Sequence, residues 1–266
     1  MIKKIWSSLI IYIPENNAIE RIWILAKTDF KKRYYDTSLG LIWALLNPLF
    51  RFFVYYLVFT KIFTNRIENY SLYLFLGLII WTFFSESTKR GAVVLRANSH
   101  IINNLEIRIF EFFLASLFSS IIGFTFNFIV FVCVSFFQGI FVSQHIIILP
   151  ILLLNLFLLG LGFSFILSSL YIFFKDIAMI WNLILIGGFW ITPIIYSGVI
   201  FTQSLPILLY LNPLAGIMIN IREILIYHNW PDWELMTYDM FYCIILFIVG
   251  YYLVKKFSTN VAERLI

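Results

Sequence analysis

Long apolar runs separated by short polar breaks run through the whole 266-residue chain. The first run of span length covers Trp43 to Phe63, about 31 Å of helix at 1.5 Å per residue, enough to cross a hydrocarbon core. A second run covers Tyr70 to Phe84. From Phe112 to Phe174 the chain is almost continuously apolar, too long for one helix. Gln138-Gly139 and Ser143-Gln144-His145 divide it into a third span to about Phe137 and a fourth from about Ile146. Lys175-Asp176 is a minimal charged turn ahead of a fifth span, Ala178 to about Tyr196. The last span covers Tyr238 to Val254 and stops at Lys255-Lys256.

Three stretches depart from this pattern. In residues 17–36, Ile19, Ile22, Trp23, Ala26, Phe30 and Tyr34 recur at helical spacing, with Lys27, Lys31 and Lys32 largely off that stripe. Asn17 followed by Glu20 has the form of a capping box, and Gly40 is a plausible stop. A basic amphipathic helix of this kind lies in the plane of a membrane surface, as an anchor or also as a docking element. Ser85 to Arg108 is the longest polar segment between spans, and Val93, Val94, Ala97, Ile101 and Leu105 suggest a short amphipathic helix within it. After Gly187-Gly188 and Pro193 the chain makes two apolar pieces, Leu205–Leu211 and Leu214–Tyr227, parted by Asn212-Pro213. Each is shorter than the roughly 20 residues of a spanning helix, so they read as re-entrant or interfacial helices shaping a path.

Composition fixes the class. At 62% hydrophobic and 12% charged residues the chain is an all-α integral membrane protein. Its net charge of +5 does not point to nucleic acid, because Lys and Arg gather at the ends of apolar runs. The inferred inner pieces hold 15 of them and the outer pieces three, which places both termini in the cytoplasm and makes six spans the consistent count. The domain division is then 1–42, an N-terminal segment with the in-plane helix, and 43–266, the six-span domain. Residues 1–16 have a basic start but no small-residue cleavage site, so they are expected to be retained. Cys133 and Cys243 read as small buried hydrophobes. His100 stands alone, so no metal site is expected, and no cofactor.

The chain has no G-x-x-x-x-G-K-[ST] loop with which to hold ATP, no H-E-x-x-H, and almost no ionisable residue inside a span apart from Arg51 and Glu111. Ion-coupled carriers place carboxylates at the midplane. Energy is therefore expected from a soluble motor, with 17–36 and 85–108 as its contact surfaces. A membrane glycosyl- or acyltransferase would need converging acids, and Asp232, Glu234 and Asp239 read more simply as a solvated loop around Pro231. Aromatic residues make up 20% of the chain. Trp81, Phe84, Trp190 and Tyr196 near span ends fit either an interfacial belt or stacking platforms for sugars.

Three motifs carry a family resemblance. Asp29, Lys31, Arg33, Tyr34, Ser38, Gly40, Trp43 and Pro48 within LAKTDFKKRYYDTSLGLIWALLNPLF resemble the opening motif of type 2 ABC exporter permeases for polysaccharides, O-antigen and teichoic acids. FFKDIAMIWNLILIGGFWITPIIY is similar to that family's basic-Asp-Ile turn and Pro-Ile-x-Tyr block, and NPLAGIMINIRE resembles its Asn-Pro-Leu segment followed by Arg. The resemblance implies a homodimer with a separate ABC ATPase subunit on each half and a lipid-linked glycan as cargo. It implies an interface helix bearing Lys27, Asp29, Lys31, Lys32, Arg33 and Tyr34, whose basic groups attract either a carrier pyrophosphate or anionic headgroups. It further implies a coupling helix at about 90–105, with Arg90, Val94, Leu95, Arg96, Asn98 and Ile101 facing the ATPase. Short outward helices at about 200–228 would form an exit gate, and conduit and gate roles fall to Trp81, Phe84, Trp190, Pro193, Tyr196, Asn212, Pro213 and Arg222. The same architecture also serves drug or small-lipid exporters.

Overall fold

The computed structural model describes residues 17–34, 39–61, 67–104, 107–141, 143–198 and 206–264. The expected retained segment 1–16 and the start of the gate stretch, 199–205, lie outside the described residues. Among the described residues the fold is entirely helical.

Helix α1, Ala18–Tyr34, opens where Asn17 Oδ1 accepts the Glu20 N–H at 3.3 Å, the cap role its sequence suggests. It packs along α5, Ile109–Phe137. Its apolar stripe divides: Ala26 and Phe30 are buried, with Phe30 stacked on Phe126, while Ile19 and Trp23 stay exposed. A 3-10 turn at Gly40–Ile42, with Gly40 at φ +51°, leads into α2, Trp43–Lys61. Pro48 lies inside α2, and Arg51 is exposed.

Helix α3, Tyr70–Ala97, is the centre of the fold, packing on α2, α5, α6 (Leu149–Tyr171) and α7 (Ile177–Ile191). It corrects the expected boundaries. The span does not end at Phe84, and no separate helix occupies 90–105. Instead α3 runs unbroken through 28 residues, ends at Asn98, and is followed by the short α4, Ser99–Asn104. The reason lies in the hydroxyls that read as a polar loop. Ser85 donates to Thr82 O, Ser87 to Phe84 O and Thr88 to Phe84 O, so each satisfies itself on its own helix and the helix continues.

The turn at Gln138-Gly139 forms as expected, with Gly139 at φ +78°. A 3-10 turn, Gln144–Ile148, capped by Ser143, then leads into α6. Helix α7 stops at Ile191 rather than near Tyr196, because Thr192 precedes Pro193 and adopts extended dihedrals. The broken stretch follows as expected: α8, Pro206–Leu211, and α9, Pro213–Arg222, parted at Asn212, with a π-helical turn at Glu223–Tyr227. Helix α10, Trp233–Arg264, begins five residues earlier than Tyr238, where Asp232 Oδ1 accepts the Leu235 N–H. It crosses α6 closely: a Cβ on Gly250 would fall 2.8 Å from Gly162 O, a small-residue contact typical of membrane helix pairs.

Among the described residues four helices, not the expected six, are long and apolar enough to cross a membrane: Tyr70–Ala97, Ile109–Phe137, Gln144–Tyr171 and Trp233–Phe257. Trp43–Phe59 and Ile177–Ile191 are apolar but shorter. Of the two cysteines, Cys243 is buried as expected, whereas Cys133 is exposed on the apolar surface of α5.

Candidate functional site

Two polar constellations grip α3, one near each end. Near its C-terminal end the carboxylate of Asp29 on α1 accepts from Arg90 Nη1 at 2.9 Å and from Ser119 Oγ of α5 at 2.7 Å, with Arg33 Nη2 at 3.5 Å. Arg33 also donates to Ser119 and, at 3.2 Å, to Glu86 of α3. Arg90 Nη2 lies 3.9 Å from Glu86, one helical turn away. Two guanidiniums and two carboxylates thus join three helices into one neutral cluster. Beside it Arg21 of α1 makes a bidentate pair with Glu111 of α5, both contacts at 2.8 Å and both side chains buried. Hydrogen bonding to Glu111 raises the Arg21 guanidinium above its ordinary value, against desolvation.

Near the N-terminal end of α3 a single guanidinium does the joining. Arg222, the last residue of α9, is 1% exposed. It donates to the backbone carbonyls of Pro193, Ile194 (3.1 Å) and Tyr73 (2.9 Å), and its Cζ lies 3.4 Å from the centre of the Tyr73 ring. The Tyr73 hydroxyl in turn donates to Tyr196 O at 2.8 Å. Carbonyls left without helical partners where α7 unwinds are thereby satisfied from α9 and α3. Space for the guanidinium exists only because residue 77 is glycine: a Cβ there would fall 2.3 Å from Arg222 Nη2.

Between these ends lies a cavity of about 450 Å³ bounded by α3, α6, α7, the α8–α9 break and α10. Trp81, Phe84, Phe163, Trp181, Leu211 and Pro213 give it an apolar wall, and Tyr242 closes one side. Asn212 Nδ2 donates to Thr192 Oγ1 at 2.9 Å and pins the helix break to the end of α7. Trp181 Nε1 donates to Thr88 Oγ1 at 2.9 Å, which fixes one wall.

The sequence-derived residues are distributed unevenly over these features. Asp29, Arg33 and Arg90, drawn from two separate groups, meet in the charged cluster. Trp81, Phe84, Asn212 and Pro213 do line one cavity. Pro193 and Tyr196 lie in the unwound segment, where Tyr196 donates to Trp190 O. Trp190 is half exposed. Arg222 is not among the residues lining the cavity; it is enclosed. Of the coupling residues, Arg96 is exposed, Val94, Leu95 and Ile101 are buried, and Asn98 Nδ2 donates to Val94 O at 2.8 Å. Lys27, Lys31 and Lys32 are exposed on α1, and the Tyr34 side chain lies outside the described residues.

Glu86, Ser119, Arg21, Tyr73 and Gly77 were not singled out from sequence, although Glu86 and Arg90 stand four apart. Asp239 is a correction. It does not belong to a solvated loop with Asp232 and Glu234, because α10 starts at Trp233 and carries it inside. It is fully buried beside Gly216, and neither carboxylate oxygen has a hydrogen-bond partner. Among the described residues no group of His, Cys, Asp and Glu is placed to hold a metal ion.

Residues 20–226, from the first turn of α1 to the π-helical turn, match the ABC-2 type transporter family. The chain belongs to that family. An O-antigen export system permease protein RfbA of Myxococcus xanthus is 25% identical over 212 residues, 79% of this chain and 82% of that one. Two proteins of the same name from Klebsiella pneumoniae are each 26% identical over 243 residues, 91% of this chain and 93% of theirs. As an ABC-2 membrane subunit, the chain is a multi-pass transport permease rather than an enzyme.

Proposed function

We propose that this chain is the membrane subunit of an ATP-driven exporter that moves a lipid-linked polysaccharide, of O-antigen type, across the cytoplasmic membrane. The observation that carries the reading is the length of the likeness: relatives named as O-antigen export permeases align over nine-tenths of the chain. The architecture supports it, since a short broken stretch following an unwound helix end is backbone tolerated at membrane depth only beside protein or water.

In this reading all six apolar helices cross, α8 and α9 form the outward gate, and both termini are cytoplasmic, as the charge bias requires. A second copy of the chain covers the faces of α2 and α7, where Phe50, Phe53, Leu183, Ile186 and Trp190 are exposed together with few polar groups. The glycan passes between the two copies. A separate ATPase docks below α1 and α4, meeting Arg96 and the exposed Lys27 and Lys31. Lys27, Lys31 and Lys32, exposed on α1, are placed to meet the carrier's phosphates. The apolar lining of the 450 Å³ cavity favours a second reading, export of a small hydrophobic molecule by the same machinery.

Affinity purification tests the assembly. The tagged permease should bring down a Walker-motif ATPase whose hydrolysis depends on it, in a complex with two copies of each subunit. A purified chain that moves cargo with no nucleotide-hydrolysing partner would contradict the proposal.

A further inference from the structure

The charged cluster and the Arg222 clasp hold the same helix. Tyr73 and Gly77 mark one joint, Glu86 and Arg90 the other. From residue 73 to residue 90 an α-helix rises about 26 Å. Between the joints α3 is the most enclosed of the four long apolar helices and contains no proline. It runs as one continuous α-helix through both joints, with Ser85, Ser87 and Thr88 bonded to its own carbonyls.

The joints differ in kind from the packing between them. Apolar helix faces can slip past one another by small shears, but charge-assisted hydrogen bonds are directional and resist slipping. Helix α1 lays its length on α5, and long side chains are what reach α3. The clasp at the other end does not touch α8 or the cavity. It holds the carbonyls of the unwound segment at 193 and 194 and the end of α9. Displacement of α1 is therefore passed to α3 through Arg33 and Arg90, and displacement of α3 is passed to the unwound segment through Tyr73 and Arg222.

We propose that α3 is the strut linking α1 to the exit segment, with Asp29–Arg33–Glu86–Arg90 and Arg222–Tyr73 as its two joints. Glu86, Arg90, Gly77 and Arg222 are then positioning residues for transport. The inference rests on the permease reading above and adds to it the route by which nucleotide-driven motion reaches the gate. An alternative strut is α5, which α1 also grips through Arg21–Glu111.

The test uses the permease–ATPase complex in nanodiscs, in a Cys133→Ser background, with Leu211→Cys on exposed α8 as reporter. Labelling by a hydrophilic maleimide is timed before and after trapping with ATP and vanadate. The parent should show a change in labelling rate on trapping. Glu86→Gln and Gly77→Ala, made separately, should each lose that change while vanadate-sensitive hydrolysis continues. A merely structural role would lower hydrolysis and labelling response together, in step with the amount of folded complex. Glu86 is about two-fifths exposed, so its amide variant folds even where Gly77→Ala does not. A change that persists in Glu86→Gln overturns the proposal and assigns transmission to α5. A parent whose labelling ignores trapping overturns it as well. Failure of any ATPase to co-purify would instead strike at the permease reading.

Discussion

The two ends of α3 solve the same mechanical problem with opposite electrostatics. At the α1 end, two carboxylates and two guanidiniums share charge in a setting where the Asp29 and Glu86 side chains are 46% and 42% exposed. Water and salt screen such a cluster, and exposed pairs contribute little, about 0.2–1 kcal/mol each. At the other end one enclosed guanidinium faces neutral partners, backbone carbonyls and a tyrosine ring. Desolvating that charge costs several kcal/mol, offset only while every carbonyl and the ring stay in place. The first joint contributes little to stability yet fixes the direction in which α1 pulls on α3. The second is close to all-or-none, so the broken stretch of α7 and α9 moves with α3 or not at all.

The sharpest way to break this contrast is Arg222→Leu. It removes the guanidinium donor from the unwound carbonyls at 193 and 194, and a loss of about 3 kcal/mol or more is expected, read as a collapse of thermal stability in detergent. Gly77→Ala comes next: a methyl group 2.3 Å from Arg222 Nη2 forces the guanidinium aside, at about 1–3 kcal/mol in the same melt. Asp29→Asn should cost about 1 kcal/mol or less, because Ser119 still has an acceptor and the cluster is partly solvated. The smallest effect is ionic. Raising salt should narrow the difference between Asp29→Asn and the parent, and leave the Arg222→Leu deficit unchanged, measured as melting midpoints at low and high ionic strength.

Much of this was legible in the sequence, and the misses have identifiable causes. The order of the apolar helices, the Asn17 cap, the Gly139 turn and the break at Asn212-Pro213 follow from local chemistry that tertiary packing did not override. Polar residues misled wherever they were satisfied internally. Ser85, Ser87 and Thr88 looked like a loop but bond their own helix, so α3 runs on to Ala97. Asp239 looked solvated because Pro231 and Asp232 precede it, yet Asp232 is a cap and Asp239 lies two turns inside. Hydropathy orders residues by type and cannot say which partner lies opposite. That is why the carbonyl and ring partners of Arg222 could not be named from the sequence, and why Gly77, whose only signal is the absence of a side chain, carried no role. Asp29 and Arg33 were found, but through a motif and not through the Glu86–Arg90 spacing that completes the cluster.

The most direct measurement is made in the cell that carries the chain. Deleting the gene, or replacing Arg222 by Leu, should leave lipid-linked glycan accumulated on the cytoplasmic face and strip it from the surface, as followed by radiolabelled sugar and external lectin or antibody binding. Restoring the intact chain should restore display. Surface glycan at normal level in the deletion strain, with a hydrophobic compound retained inside instead, would contradict the account.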